Sequence, residues 1–246
     1  MTALLWMTLT LAADGTVGSE GALAGAQVAV QKQDWSGAAQ YYAQAAQSLP
    51  RCAELEYDVG TAAAQAGQVG AAVLHLERAL RENPWDSDAR LNLERIRAKR
   101  IDKVMGQEPG ESPLQRLAAG LPGRLLFWAS ALVFWAACGL WLLRGFGRLQ
   151  LATPWLVLLF VVAGAALGAS LGYEAERSVR YAVVVGGGEG GQGVKVHSGP
   201  AGDLPSSFEV HDGLKVLVLD SENGFVHIRL GNGLEGYAPE SEIQEI

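Results

Sequence analysis

The stretch Leu125–Tyr173 reads LLFWASALVFWAACGLWLLRGFGRLQLATPWLVLLFVVAGAALGASLGY, and its charge pattern decides the fold. Leu125 to Leu143 is nineteen residues without a charge, and Leu149 to Tyr173 is twenty-five more. A helix crossing a bilayer needs about 20 apolar residues, so both runs are long enough. Within hydrocarbon the backbone must satisfy its own hydrogen bonds, which makes helix the default state. Pro154 falls near the start of the second run, where its missing N–H costs little. Arg144-Gly145-Phe146-Gly147-Arg148 then predicts a tight turn outside the bilayer. The reading is a two-helix transmembrane hairpin, with spans over 121–143 and 149–173 and a short loop over 144–148. Both flanks then lie on the same side. Two buried helices of a soluble core would need more surrounding protein than this chain supplies.

The second run carries Gly164, Gly168 and Gly172, two overlapping GxxxG spacings. Small residues four apart let another helix approach closely in lipid, so these three are expected to pack against a helix. The first helix of the same hairpin is the nearest choice, and a partner membrane protein is the other.

The chain has 246 residues, which leaves room for two small soluble domains beside the membrane segment. Its net charge of −7 is unevenly placed. Residues 174–246 hold twelve acids against five bases, whereas residues 1–173 balance. An acidic C-terminal part argues against nucleic acid as a partner. Cys138 falls in the first apolar run and Cys52 well before it, so no disulfide is expected. Cys52 is expected to be a small buried apolar residue. At the N-terminus, MTALLWMTLTLAADG has a short apolar run followed by Ala12 and Ala13, the form of a weak signal peptide over 1–13. It lacks a base ahead of the run, and eight apolar residues are too few to span a bilayer.

A 34-residue register runs through the next segment: Ala38 with Ala72, Ala45 with Ala79, and Pro50 with Pro84. The second unit, Tyr57 to Pro84, resembles a tetratricopeptide repeat at Gly60, Gly67, Ala72, Leu76, Ala79 and Pro84. The first unit, Ser19 to Cys52, matches more loosely through Ala26, Ala38, Tyr42, Ala45 and Pro50, with Asp34-Trp35 in the turn. Small residues at these positions let paired helices cross closely. The segment DSDARLNLERIRAKRIDKV, Asp86 to Val104, reads as a capping helix. Its bases Arg95, Arg97, Lys99, Arg100 and Lys103 are expected on a solvated face. Residues 19–104 thus form a short helical solenoid with its cap. GQEPGESP, inside a linker over 105–120, connects it to the membrane. His75 is expected on the surface or in packing.

Beyond Tyr173 short alternating runs follow one another between glycines. Tyr181–Val185, Gly193–His197, Ser207–Val210, Leu214–Asp220, Phe225–Leu230 and Glu235–Ala238 read as strands. Asp212-Gly213, Asn223-Gly224 and Gly231-Asn232-Gly233 read as turns. Five or six strands over 178–246 suggest a small all-β barrel. The wording resembles a bacterial SH3-type domain: Val194 to Pro200 early, His211-Asp212-Gly213 and Gly224-Phe225-Val226 in the middle, Gly236-Tyr237-Ala238-Pro239 at the close. Phe225 and Tyr237 stand where that family often has Trp, and they are the candidate ligand surface. Phe225 as a core residue is the alternative.

Two tempting sites fail on chemistry. GGGEGGQG, Gly186 to Gly193, lacks a Gly-Lys-Ser/Thr ending and a following helix, so it is no phosphate loop. His197, His211 and His227 lie on separate segments without metal-ligand spacing. No paired carboxylates, nucleophile elbow or cofactor fingerprint occurs, so no catalytic, cofactor or metal residue is assigned and a non-enzyme is expected.

The fold class is therefore multidomain α + β: helical solenoid, membrane hairpin, SH3-like barrel. That order, with NPWDSDARLNLE at Asn83 to Glu94, resembles the BatE-type proteins of the bacterial aerotolerance (Bat) group. The resemblance implies a scaffold whose partners are von Willebrand A-type membrane proteins and a MoxR-type AAA+ ATPase. A cleaved signal would commit the repeats to export before the hairpin is made, and the resemblance also favours exported flanks, which gives a multi-pass protein of the bacterial inner membrane with both soluble domains in the periplasm. The charges divide on this point: two arginines in the loop favour a cytoplasmic loop, while Arg116, Arg124, Arg177 and Arg180 on the flanks oppose it. The rival reading is an envelope module that holds peptidoglycan or its peptides; a cytoplasmic chaperone adaptor follows if the topology is reversed.

Overall fold

A computed structural model describes residues 18–99, 123–146, 153–177, 179–186 and 193–246. The expected signal peptide, the whole linker, the turn residues Gly147 and Arg148, and the interior of the glycine run 186–193 lie outside the described residues. The chain is mixed α + β and divides into two units. One joins residues 1–109 with 180–246; the other is 110–179.

In the first unit, helix α1 over residues 18–31 is followed by α2 (Trp35–Ser48), α3 (Ala53–Gln65), α4 (Val69–Glu82) and α5 (Ser87–Lys99). The backbone itself repeats at 34 residues. Gln33 and Gly67 both take left-handed backbone, with φ of 59° and 78°. The next residues, Asp34 and Gln68, sit at φ/ψ of −81°/80° and −82°/79° as N-caps. Asp34 N–H donates to Ala29 O and Gln68 N–H to Ala63 O, each at 2.9 Å. At the far ends, Leu49 N–H donates to Ala45 O and Asn83 N–H to Ala79 O. Two helix pairs are thus built to one plan.

Packing follows the same register. Ala38, Ala45, Ala72, Ala79 and Leu76 are all at 0% exposure. A Cβ on Gly60 would stand 2.8 Å from Leu76 Cγ and 3.0 Å from its backbone N, so only glycine lets α3 lie this close to α4. Pro84 is buried behind Asn83 and accepts from Arg90 Nη2 at 2.5 Å, whereas Pro50 is exposed. His75 packs, with Nδ1 2.7 Å from the Glu56 carboxylate. Burial raises Asp58 above the ordinary carboxylate value, Glu54 adding repulsion. Burial also raises Tyr42, with Asp58 contributing. Cys52 corrects an expectation: it is exposed, because it is the extended N-cap of α3 and lies outside the helix contacts. Arg97 is likewise withdrawn from the solvated face into a pair with Glu77. Arg100 and Lys103 lie outside the described residues.

The rest of this unit is a seven-stranded antiparallel sheet: β1 (Tyr181–Val184), β2 (Val194–His197), β3 (Ser206–Val210), β4 (Lys215–Glu222), β5 (Phe225–Arg229), β6 (Glu235–Pro239) and β7 (Ile243–Glu245), in the order β3-β2-β6-β5-β4-β1-β7. Asn223 and Gly224, φ 54° and 77°, form the two-residue turn of the β4–β5 hairpin. Strand β7 was not expected; three residues after a short 3-10 turn give too little alternation to read. Valines, leucines and isoleucines from alternate positions form the core, including Val194, Val196, Val210, Val216 and Ile228.

The second unit holds α6 (Gly123–Gly145) and α7 (Thr153–Arg177), packed on each other. Among the described residues one helix is long and apolar enough to cross a membrane, Phe127–Gly145, with mean hydropathy 1.5. Among the described residues, Val157–Gly168 of α7 is a shorter apolar stretch. Of the two neighbours expected for the glycines, the first helix of the hairpin does not meet Gly164 or Gly168. Ala163 and Ser170 are buried on α7, as are Ser130 and Ala137 on α6. Phe160 meets Phe134 and Trp141 edge-on at 5.6 and 6.3 Å. A Cβ at Gly164 or Gly168 would meet nothing within 4 Å, so neither faces α6. The surroundings of Gly172 lie outside the described residues.

Two expectations follow. Gln33→Gly should stabilise the protein by about 1 kcal/mol, because a non-glycine residue in left-handed backbone is strained by roughly 1–2 kcal/mol. The reverse change, Gly67→Gln, should cost about as much; denaturant midpoints of the full chain in detergent check both. Ala163→Leu should weaken α6–α7 pairing by about 1–3 kcal/mol through overpacking. Gly164→Leu should stay within about 0.5 kcal/mol of the parent, as surface changes do.

Candidate binding surface

Alternation in the strands sends every second side chain to the outer face of the sheet. On β5, Val226 and Ile228 point into the core while Phe225, His227 and Arg229 do not. On β6, Gly236 and Ala238 are buried while Glu235, Tyr237 and Pro239 are not. On β2, Val194 and Val196 are buried, leaving Lys195 and His197. Register then aligns the outward residues into a row. Tyr237 pairs with His227 across β5–β6 and with His197 across β2–β6.

The rings in this row are arranged as a platform. His227 and Tyr237 stack with centroids 4.5 Å apart and planes 8° apart. Phe225 meets His197 edge-on at 6.0 Å. The His197 ring is oriented by Leu204 O, 2.7 Å from Nδ1. Glu235 bounds the platform. Its carboxylate takes Arg229 Nε at 2.6 Å and lies 3.5 Å from His227 Nε2. Leu204 and Leu234 are exposed on neighbouring loops. Flat π faces with an oriented imidazole and a flanking ion pair suit stacking on an apolar or sugar-like surface with polar rim contacts.

Phe225 and Tyr237, the two residues singled out from sequence, thus lie on the same face, neither of them in the buried core. His197 and His227, distant in sequence, are brought to either side of Tyr237. Their signal was available: both fall on the outward phase of their strands. His211 is not part of the row. Among the described residues, no three His, Cys, Asp or Glu side chains form a metal-holding group. Gly60, Gly67, Ala38, Ala45, Ala72, Leu76, Ala79, Pro50 and Pro84 serve helix packing and turns and contribute nothing to this face.

No protein-family model matches the chain, and no curated protein matches it. Among solved structures, NlpC2 from Trichomonas vaginalis is similar over 28% of this chain, at 21% identity and a TM-score of 0.25. The chain spans about a quarter of that protein's length (26%). A likeness so loose and partial carries no argument about fold or activity.

Because Tyr237 faces outward, Tyr237→Ala should cost only the stacking with His227, about 0.5–1.5 kcal/mol. Ile228→Ala, at 0% exposure on the adjacent strand, should cost about 2–5 kcal/mol. Hydrogen exchange of β5 amides in the full chain would rank the two; equal losses would place Tyr237 in the core.

Proposed function

We propose that this protein is a non-enzymatic, membrane-anchored scaffold of the BatE type, pairing a tetratricopeptide-repeat array with an SH3-like barrel. The observation that carries the reading is the 34-residue recurrence of turn, caps and buried alanines in α1–α4. Arrays of such helix pairs present surface to other proteins. The helix Phe127–Gly145 supplies the anchor. Only 11% of that stretch is buried, which suits lipid contact better than a soluble core.

The chain on either side of the apolar segments belongs to one compact unit. A chain that leaves a membrane face and packs against its own earlier part must return to that face. This supports an even number of crossings, hence a hairpin of α6 and α7 with its loop on the opposite side. We place both flanks in the periplasm and the anchor in the bacterial inner membrane. The partners of this reading are von Willebrand A-type membrane proteins and a MoxR-type AAA+ ATPase system. The stacked His227–Tyr237 pair favours, as a second reading, a face for peptidoglycan.

The tagged full chain, purified from native membrane, should retain von Willebrand A-type proteins, and sedimentation with purified cell wall should be weak. Strong sedimentation that Tyr237→Ala abolishes would move the envelope module to first place. Topology has its own readout. A membrane-impermeant maleimide on spheroplasts should label exposed Cys52 and a Ser207→Cys variant together. Labelling of neither would put both soluble parts in the cytoplasm and favour the chaperone adaptor; labelling of one alone would end the hairpin reading.

A further inference from the structure

Strand β1 is buried on both faces, each under a different partner. Ala182 and Val184 point into the sheet's own core with Val194, Val196, Val216 and Ile228. Val183, at 0% exposure, belongs instead to the cluster of Val73, Leu74, Leu80 and Ile246, with Tyr181 and Val185 packed against it. Alternation at period two makes this division possible: one face of β1 serves the sheet and the other serves α4.

The approach is close enough to exclude a side chain. Gly70 lies in the first turn of α4, and a Cβ there would stand 2.8 Å from Val184 O and 2.9 Å from Val185 Cα. Both are backbone atoms, which cannot swing aside. Further along α4, Glu77 has a side chain only 7% exposed and receives one base from each direction. Arg97 of α5 takes Oε1, and Lys215 Nζ of β4 takes Oε2 at 2.8 Å. The same Lys215 ammonium lies 4.9 Å from the centroid of the Tyr181 ring. In the last turn, Arg78 Nη2 donates to Glu245 O at 2.5 Å and Arg81 Nη1 to Ile246 O at 2.6 Å. Strand β7 ends the sheet order, so Arg78 satisfies a carbonyl of an edge strand, while Ile246, whose N–H donates to Tyr181 O, lies just past it. Burial draws the Arg78 guanidinium below the ordinary arginine value, with Glu56 opposing and Arg51 adding to the effect.

We infer that the α4 face running from Gly70 through Glu77 to Arg81 is a docking site whose occupant is this chain's own β1–β7 edge. Glu77 is its specificity residue. A carboxylate this deep needs a base from the incoming side as well as from its own helices, and Lys215 is placed to supply it. An occupant without a cation at that position would bury Glu77 less well paired, and one without a strand edge would lose the Arg78 bond to Glu245 O. The array therefore presents other surfaces to outside partners, and the aromatic face of β2, β5 and β6 remains open. The inference stands apart from the scaffold reading; it concerns what covers α4 whatever the protein binds.

The test uses the full chain in detergent, followed by amide hydrogen exchange. Gly70→Leu should wedge α4 off β1, and exchange at β1, β7 and α4 should rise at least about tenfold, while α2–α3 and β2–β6 keep their protection. Lys215→Met should accelerate the same amides by roughly tenfold or more, since a hydrogen bond to a buried charge is worth about 1.5–3 kcal/mol and each 1.4 kcal/mol is tenfold. Added to Gly70→Leu, it should do little more, because the contact is already gone. Unchanged exchange in Gly70→Leu would overturn the inference, and so would fully additive effects. If Gly70→Leu loosens every element through misfolding, Lys215→Met alone decides. A rise confined to β1, β7 and α4 supports docking; no rise, or a uniform one, overturns it.

Discussion

Everything in the larger unit depends on a strand that must be apolar on both faces. A sheet with one solvated face shows alternation, but β1 reads Tyr-Ala-Val-Val, without a polar outward position. Such a strand exposes Val183 and Tyr181 unless something lies over it. Here α4 does, bringing Val73, Leu74 and Leu80. Helices and sheet are encoded on opposite sides of the apolar segments, so neither half of the sequence completes this core by itself. The apolar contact sets the strength of the association, and the charges around it set its geometry.

Those charges explain why the contact has one register. Burying a carboxylate costs several kcal/mol unless its oxygens are paired, and Glu77 has a base on each oxygen. Sliding the sheet by one residue would move Lys215 away from Glu77 and pull the Glu245 and Ile246 oxygens off Arg78 and Arg81. Gly70 adds a steric condition that only backbone-to-backbone approach imposes. Hydrophobic burial is tolerant of such shifts; paired buried charge and a missing Cβ are not.

In the smaller unit the deciding factor is size. Ala163 and Ser170 of α7, with Ser130 and Ala137 of α6, are buried where the helices meet, and the hydroxyls of the two serines turn back to carbonyls of their own helices. Self-satisfied hydroxyls behave as small spacers in an apolar setting. Phe160 between Phe134 and Trp141 fills the remaining depth. Gly164 and Gly168 lie on another face of α7, so a GxxxG spacing marks a smooth stripe without saying which helix meets it.

Much was legible in the residues alone. The 34-residue register of Ala38, Ala45, Ala72 and Ala79 located the helix pairs, because close helix crossing tolerates nothing larger at those points. Asn223-Gly224 fixed a hairpin turn, because few residues accept left-handed backbone. The SH3-type resemblance singled out Phe225 and Tyr237 while leaving Phe225 open as core, and the strand phases put both outside it. What the sequence did not hold was who faces whom. It could not bring His197 and His227 to Tyr237, since strand order β2-β6-β5 is not chain order. It could not show Cys52 on the surface, because that depends on a cap ending before the packed helix begins. Nor could it match Glu77 to Lys215 across 138 residues. Local patterns follow from the conformational preferences of a few neighbouring residues. Pairings between distant segments follow from which buried surfaces and charges can be satisfied together, and only the tertiary structure decides that.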